Sequence, residues 1–169
     1  QWPEINHEIY DYPPILNVGV EFTDRMVEKG FGDHTALIGN GRRRTYKELT
    51  DWTNRLGHAL VGIGVRPGDR VLIRSANNPA MVACWLAATK AGAVVVNTMP
   101  MLRAGELTAI IDKAEVKYAL CDTRMMYELA TAAKTSGFLK TVIGFDGTAN
   151  HDAELDRMAL QQPVRFEAV

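Results

Sequence analysis

The sequence predicts an α/β fold with three layers, helix–sheet–helix, built around a mostly parallel sheet. From Arg70 onwards, four short apolar runs recur at similar spacing, and a helical pattern separates each run from the next. The runs are continuous rather than alternating, which is typical of parallel strands that are covered on both faces. Right-handed crossovers between such strands place helices on both faces of the sheet.

The N-terminal part precedes this repeat. Residues 1–16 are rich in aromatic residues and proline and show no sustained period, so we expect a surface arm. Residues 17–46 are expected to form a helix and a small hairpin, and residues 47–169 the repeating βα units. Asn17 can cap the helix, which would run for about three turns with Val20, Met26 and Val27 inward and end at Gly30.

The hairpin is predicted from its turn. Gly39–Gly41 readily takes the positive φ of a tight turn, and the two flanking segments are Thr35–Ile38 and Arg42–Tyr46. The second strand carries three consecutive arginines, Arg42–Arg44. This run is more typical of a solvated strand face than of a phosphate clamp.

A helix is predicted to begin at Thr45. Thr45 and Glu48 have the spacing of a capping box, in which each side chain accepts a hydrogen bond from the other residue's backbone N–H. The apolar residues that follow recur at steps of three and four and form one stripe: Leu49, Trp52, Leu56, Leu60 and Ile63.

The repeating part follows. Its predicted strands are Arg70–Ile73, Ala93–Val96, Tyr118–Cys121 and Thr141–Phe145. Its predicted helices begin at Asn78-Pro79, near Ala104 and near Thr123, with a short last helix over 153–160 after a loop at 147–150. Val164–Val169 alternates like a strand and has no turn residue to close it, so we expect an incomplete piece of a larger domain.

Composition and charge limit the classes of ligand and the cellular setting that the chain is expected to have. The 169 residues carry 19 Lys and Arg against 20 Asp and Glu, which argues against binding nucleic acid or an anionic membrane. Both cysteines, Cys84 and Cys121, lie in apolar runs and are expected to be buried thiols in a reducing, cytoplasmic setting. No apolar run approaches the ~20 residues that would span a bilayer.

Ligands of open α/β sheets bind beyond the carboxyl ends of the strands. Of the segments predicted there, Asn97–Arg103 is the longest irregular one and the best candidate for ligand contact; its methionines could instead pack against another domain. Asn78, Asp122 and Thr123 are interpreted as helix caps, and the acidic residues of 152–156 as complements to a helix dipole. The chain has no P-loop, no G-x-S-x-G elbow and no paired histidines, and Gly62-Ile63-Gly64 stands in the wrong context for a dinucleotide fingerprint.

Three stretches carry a resemblance to a known family: Arg44–Leu49, Gly64–Val71 and Trp85–Asn97. They resemble, in order, the T-Y-x-E-L, G-V-x-P-G-D-R-V and A-x-x-K-A-G-A-x-x-V motifs of the adenylate-forming (AMP-binding) superfamily. That superfamily includes acyl-CoA synthetases, firefly luciferases and peptide-synthetase adenylation domains. The resemblance implies an N-terminal portion of the large adenylation domain, in which the matched motifs are structural.

The resemblance also implies an activity. An acyl- or aryl-CoA ligase would use ATP and Mg2+ to convert a carboxylic acid to an acyl-adenylate and then pass the acyl group to CoA. The family's phosphate loop and catalytic lysine have no counterpart here, so no catalytic residue is assigned and the chain is expected to be inactive alone, with the remainder of its own chain as partner. Pro100, Met101, Leu102 and Arg103 are implied to border the CoA tunnel, although Pro100 replaces a polar side chain of some relatives. The alternatives are a peptide-synthetase-type adenylation domain and a non-catalytic binding or scaffold domain.

Overall fold

The computed structural model describes residues 13–148 and 152–169. The expected surface arm, residues 1–16, lies mostly outside the described residues, as does part of the loop expected at 147–150.

The first helical segment differs from the prediction of one continuous helix. It consists of α1 (Val18–Glu21), α2 (Asp24–Met26) and a π-type turn (Val27–Phe31). The chain breaks at Thr23, whose buried hydroxyl donates to the Gly19 carbonyl at 2.6 Å. Gly19 lies so close to the helix Pro79–Lys90 that an added Cβ would be 2.7 Å from the carbonyl oxygen of Leu86. Close backbone packing, not an apolar stripe, therefore places this segment, and Val20, Met26 and Val27 are only half-buried.

The hairpin is confirmed, with β1 (Thr35–Gly39) and β2 (Arg42–Thr45) antiparallel. Asn40 and Gly41 both take positive φ, 53° and 71°, as its tight turn requires. The expectation of a solvated arginine face is wrong for Arg44, which is buried with its guanidinium 4.7 Å from the Trp52 ring centroid. A planar guanidinium gains from the face of an indole, so this arginine packs instead of facing water.

Helix α3 (Tyr46–Gly62) begins with the predicted capping box. The Glu48 N–H donates to the Thr45 hydroxyl at 3.2 Å, and the Thr45 N–H donates to the Glu48 carboxylate at 2.9 Å. The chain then turns at Gly64 and Gly68, which both have positive φ, 106° and 82°. Asp69 accepts the Arg66 N–H at 2.9 Å, so the residues of this turn are structural, as the sequence implied.

The four predicted strands are present, as β3 (Arg70–Arg74), β4 (Val94–Thr98), β5 (Tyr118–Asp122) and β6 (Thr141–Phe145). They form one parallel sheet in the order β4-β3-β5-β6. The helices between and after them are α4 (Pro79–Lys90), α5 (Ala104–Ala114), a 3-10 turn (Thr123–Met125) running into α6 (Met126–Ala133), and α7 (Glu154–Leu160).

Two hydrophobic clusters confirm the three layers. On one face, α3, α4 and α7 pack against strand residues that include Val71, Ile73 and Phe145. On the other, α5 and α6 pack against Leu72, Ala119 and other strand residues. Neighbouring residues of β3 thus enter opposite cores, which explains why its run is continuously apolar.

Two expectations about strands need correction. Strand β4 lies at the edge of the sheet, and Val94 is 53% exposed, so within the described residues this strand is covered only in part: Val95 packs against one core and Val96 against the other. Residues 164–169 form no strand; they lie along the helices. There the Asn54 amide donates to the Val164 carbonyl at 2.8 Å and the Phe166 ring meets the half-buried His58 ring edge-on at 4.9 Å. Helix side chains therefore satisfy backbone groups that a strand partner would otherwise pair.

Candidate functional site

The sheet has a topological switch at β3. The chain leaves the carboxyl end of β3 towards α4, on one face, whereas it leaves the two neighbouring strands, β4 and β5, towards α5 and α6 on the other face. Connections that diverge in this way open a crevice beyond the strand ends, which is where ligands bind in open α/β sheets.

A cleft of about 380 Å³ lies at this switch. The loop after β4 and the start of α6 form its walls, and the last residue of β3 contributes to its lining. All four predicted site residues line it together: Pro100, Met101, Leu102 and Arg103. The cleft also contains five residues that sequence reasoning did not select: Arg74, Arg124, Met125, Tyr127 and Glu128.

The predicted loop presents apolar side chains outward. Met99 is 63% and Met101 83% exposed, and Tyr127 on the opposite wall is similarly open. Leu102 turns inward and packs against the core under α5 and α6. The mouth of the cleft therefore offers thioether and aromatic surface beside its charged residues.

Glu128 closes one side of the cleft. Its carboxylate accepts from the Arg103 guanidinium at 3.0 Å and from the Ala104 N–H, the first of α5, at 2.8 Å. These two hydrogen bonds, the backbone one first, hold the pKa of Glu128 below its usual value. Arg103 is thus a paired surface cation that can still approach a negatively charged ligand from the rim.

A second polar cluster lies beside the cleft at the end of β5. The fully buried carboxylate of Asp122 is bracketed by Arg124, with Nε–Oδ1 2.9 Å and Nη2–Oδ2 2.5 Å, and lies 3.4 Å from the Ser75 hydroxyl. Burial alone would raise the pKa of Asp122, but the hydrogen bonds and charge of Arg124 bring it below the ordinary value. Asp122 also accepts the Arg124 N–H and Asn78 accepts the Met81 N–H, so both act as the predicted helix caps.

The acidic residues at the start of α7 do not all serve the helix dipole. Asp156 is buried and accepts the Asp146 N–H at 2.8 Å, which joins the end of β6 to α7.

Over residues 13–148 and 152–169, no group of three or more His, Cys, Asp or Glu side chains is placed to hold a metal ion. Cys84 and Cys121 are free and buried, and burial raises the pKa of the Cys121 thiol to about 12, so neither is poised as a thiolate. Among the described helices, none is long and apolar enough to cross a bilayer.

Comparison with known proteins gives a consistent result. A sequence model described as AMP-binding enzyme matches residues 24–166. Over 112 residues, the chain is 32% identical to a 3-hydroxybenzoate–CoA/4-hydroxybenzoate–CoA ligase of Thauera aromatica, covering 66% of this chain and 21% of that protein. Over 91 residues, it is 44% identical to the 3-[(3aS,4S,7aS)-7a-methyl-1,5-dioxo-octahydro-1H-inden-4-yl]propanoyl:CoA ligase of Mycobacterium tuberculosis, covering 54% and 18%.

A solved structure of similar fold is that of an anthranilate CoA ligase in complex with anthranoyl-AMP. It matches with a TM-score of 0.83 at 21% identity, over 94% of this chain and 30% of that one. The chain thus spans less than a third of the relatives that it matches.

Proposed function

The chain belongs to the AMP-binding enzyme family, and from this premise we propose that it is the N-terminal part of the adenylation domain of an ATP-dependent acid–CoA ligase. The match over residues 24–166 is the observation that carries the proposal. Its support is twofold: the relatives from Thauera aromatica and Mycobacterium tuberculosis are CoA ligases, and a cleft lined by both apolar and charged residues lies at the topological switch.

The proposed reaction has two steps. A carboxylate oxygen of the acid attacks the α-phosphorus of ATP, which forms the acyl-adenylate and expels pyrophosphate. The sulfur of CoA then attacks the acyl carbon, which forms the thioester, expels AMP and loses the thiol proton. A carboxylate is a poor electrophile, and adenylation supplies the leaving group that the second step needs.

ATP and Mg2+ would be held by the remainder of the chain. The described residues do not fit either group, because they contain no glycine-rich phosphate loop and no cluster of metal ligands. Most of the acid pocket is assigned to the same remainder. The free, buried cysteines favour a reducing, cytoplasmic setting.

We assign Pro100, Met101, Leu102 and Arg103 to the border of the path taken by CoA. The exposed Met101 offers apolar contact to the pantetheine arm, and Arg103 adds positive charge near Glu128 at the rim. Met101 and Arg103 lie in the wall of the cleft, so their proposed role is to contact CoA and not to act as catalytic groups. In this proposal, these residues border the path of the CoA thiol, and residues later in the protein bind the phosphates of ATP.

The test is an assay of the continuous reading frame that contains this sequence. Purified protein should release pyrophosphate with some acid from a panel of benzoates, hydroxybenzoates, medium-chain fatty acids and bicyclic propanoates, and it should form a thioester when CoA is added. No acid-dependent pyrophosphate release from a folded protein would overturn the proposal. Adenylation without transfer to CoA would favour a peptide-synthetase-type domain.

The 169-residue chain is the matched control. Titration calorimetry with ATP should show no binding, because the chain carries no phosphate loop. Micromolar affinity would contradict the assignment of the nucleotide site to the remainder of the protein.

A further inference from the structure

We propose that Arg74 is a positioning residue for acyl transfer: it holds the backbone of residues 99–102 in the shape that meets the thiol donor, without touching the donor itself. The inference rests on the proposed function. It adds a residue that neither the motifs nor the predicted loop includes.

Arg74 occupies the topological switch. It is the last residue of β3 and pairs in register with Thr98 at the end of β4 and with Cys121 near the end of β5. Its side chain lies between the loop after β4 and the start of α6, and only 2% of the residue is exposed. A residue so enclosed cannot make the main contact with a ligand, although it lines the floor of the cleft.

The guanidinium binds four backbone carbonyls. Its Nη1 donates to Met99 at 3.1 Å, and its Nη2 donates to Pro100 at 2.9 Å and Leu102 at 2.8 Å. Its Nε donates to Met125 at 3.3 Å, on the opposite wall. One rigid fork therefore determines where three carbonyls of one loop and one carbonyl of the other wall must lie.

The burial of this cation is unusual. Buried arginines are normally paired with a carboxylate, yet within residues 13–148 and 152–169 no carboxylate oxygen lies within 4 Å of the Arg74 guanidinium nitrogens. Four carbonyl dipoles contact its charge directly, and the more distant Glu128 carboxylate also senses this charge. The preceding strand residues, Val71–Ile73, are apolar and fully buried, so an apolar side chain would suffice if filling the core were the only requirement.

The contacts of Arg74 also determine which groups of the loop 99–102 face inward and which are exposed. The carbonyls of Met99, Pro100 and Leu102 turn inward to Arg74, whereas the side chains of Met99 and Met101 are exposed. Of the two, Met101 lines the cleft. The loop has one internal turn bond, from the Leu102 N–H to the Met99 carbonyl at 3.3 Å. Without Arg74, the loop would keep only that turn bond, the packing of Leu102 and the contacts of Arg103 at its end.

The first arm of the test measures loop order in the 169-residue chain by hydrogen exchange. Arg74→Met should accelerate exchange of the Leu102 amide about tenfold or more, the factor expected for losing one or two net hydrogen bonds. Arg74→Lys keeps the charge but not the fork, and should restore protection only in part. Arg70→Met is the matched control: Arg70 also binds a backbone carbonyl, that of Ala114, but from the other end of β3. It should leave the loop unchanged.

The second arm uses the intact enzyme. In the Arg74 variants, acid-dependent exchange of pyrophosphate into ATP should stay at the wild-type rate, whereas kcat/KM for CoA should fall about 10- to 100-fold, as for a reacting group misplaced by an ångström. A purely structural role would lower both steps together.

The outcomes separate the two proposals. Unchanged loop exchange, or an unchanged kcat/KM for CoA, would overturn the positioning role while leaving the ligase assignment intact. Equal loss of both steps in Arg74→Lys, which keeps the charge and most of the volume, would also overturn it. Absence of exchange activity in the wild-type enzyme would overturn the proposed function and this inference with it.

Discussion

Replacing Lys90 by methionine should destabilise the chain more than the loss of any surface ion pair. Lys90 is 1% exposed at the end of α4, and its ammonium donates to Asn54 Oδ1 at 2.6 Å and to Thr53 Oγ1 at 3.3 Å and pairs with Asp24. Burial lowers the pKa of Lys90 despite this pairing. Burial alone would raise the pKa of Asp24, but the hydrogen bond and charge of Lys90 bring it below its usual value.

The expected magnitude follows from the groups left behind. Methionine keeps most of the side-chain volume, so packing changes little. The buried Asn54 oxygen loses its donor, which costs about 1–3 kcal/mol, and Asp24 loses its cation. The side chain of Asp24 is 29% exposed, so water reduces that second loss to about 1 kcal/mol, below the range for a fully buried pair. The sum is a loss of about 2–4 kcal/mol of unfolding free energy.

Urea unfolding followed by circular dichroism and tryptophan fluorescence measures this loss, provided that the two signals coincide. Lys47→Met is the control, because Lys47 pairs with Asp51 on the surface of α3 with 65% of its side chain exposed. Its loss should change the free energy by less than about 0.5 kcal/mol. A Lys90→Met value no larger than that of the control would refute the reasoning.

Three further predictions concern stability and share the same unfolding assay. Asp122→Asn should reduce the decrease in unfolding free energy that wild type shows as the pH falls. Because the folded pKa of Asp122 is lowered from 3.8, its contribution to stability is complete above about pH 5 and is lost as the pH falls through the folded value. Parallel plots of unfolding free energy against pH for wild type and variant would contradict this. Gly92→Ala should lower the unfolding free energy by about 1–2 kcal/mol, because Gly92 has φ 74° and a Cβ would lie 3.1 Å from Pro67. Gly105→Ala is the control: Gly105 faces open space on α5, so this change should not destabilise the protein. Thr45→Ala removes the cap of α3 and should cost about 1 kcal/mol; an unchanged midpoint would show that the capping box is not stabilising.

Prediction from sequence succeeded where the signal is local. The capping box at Thr45 and Glu48 and the turn at Asn40-Gly41 depend on residues within one turn of each other, and both are present as expected. The sheet was predictable because each βα unit repeats the same hydrophobic pattern. For the same reason the loop 97–103 could be selected: it follows a strand, at the edge where ligands bind.

Prediction failed where distant residues decide the outcome. The sequence predicted a solvated Arg44, but in the fold this residue packs against Trp52. Residues 164–169 alternate like a strand in the sequence, but in the fold they hydrogen-bond to α3 and α4. Arg74 ends an apolar strand in the sequence, which was a signal that could have drawn attention to it. Nothing local, however, showed that its partners would be carbonyls 25 to 28 residues away, and 51 residues away on the opposite wall.

The sequence by itself determined the order of strands and helices, the family resemblance and the loop from which a site could be built, because these depend on periodicity and on short motifs. Only the tertiary structure decided how that site is held, with Arg74 beneath the loop and Glu128 at its side. It also decided, elsewhere in the fold, that Lys90 is buried against Asp24. The physical reason is that a buried charge must find its partners in space, and those partners come from whichever segments the packed layers bring together.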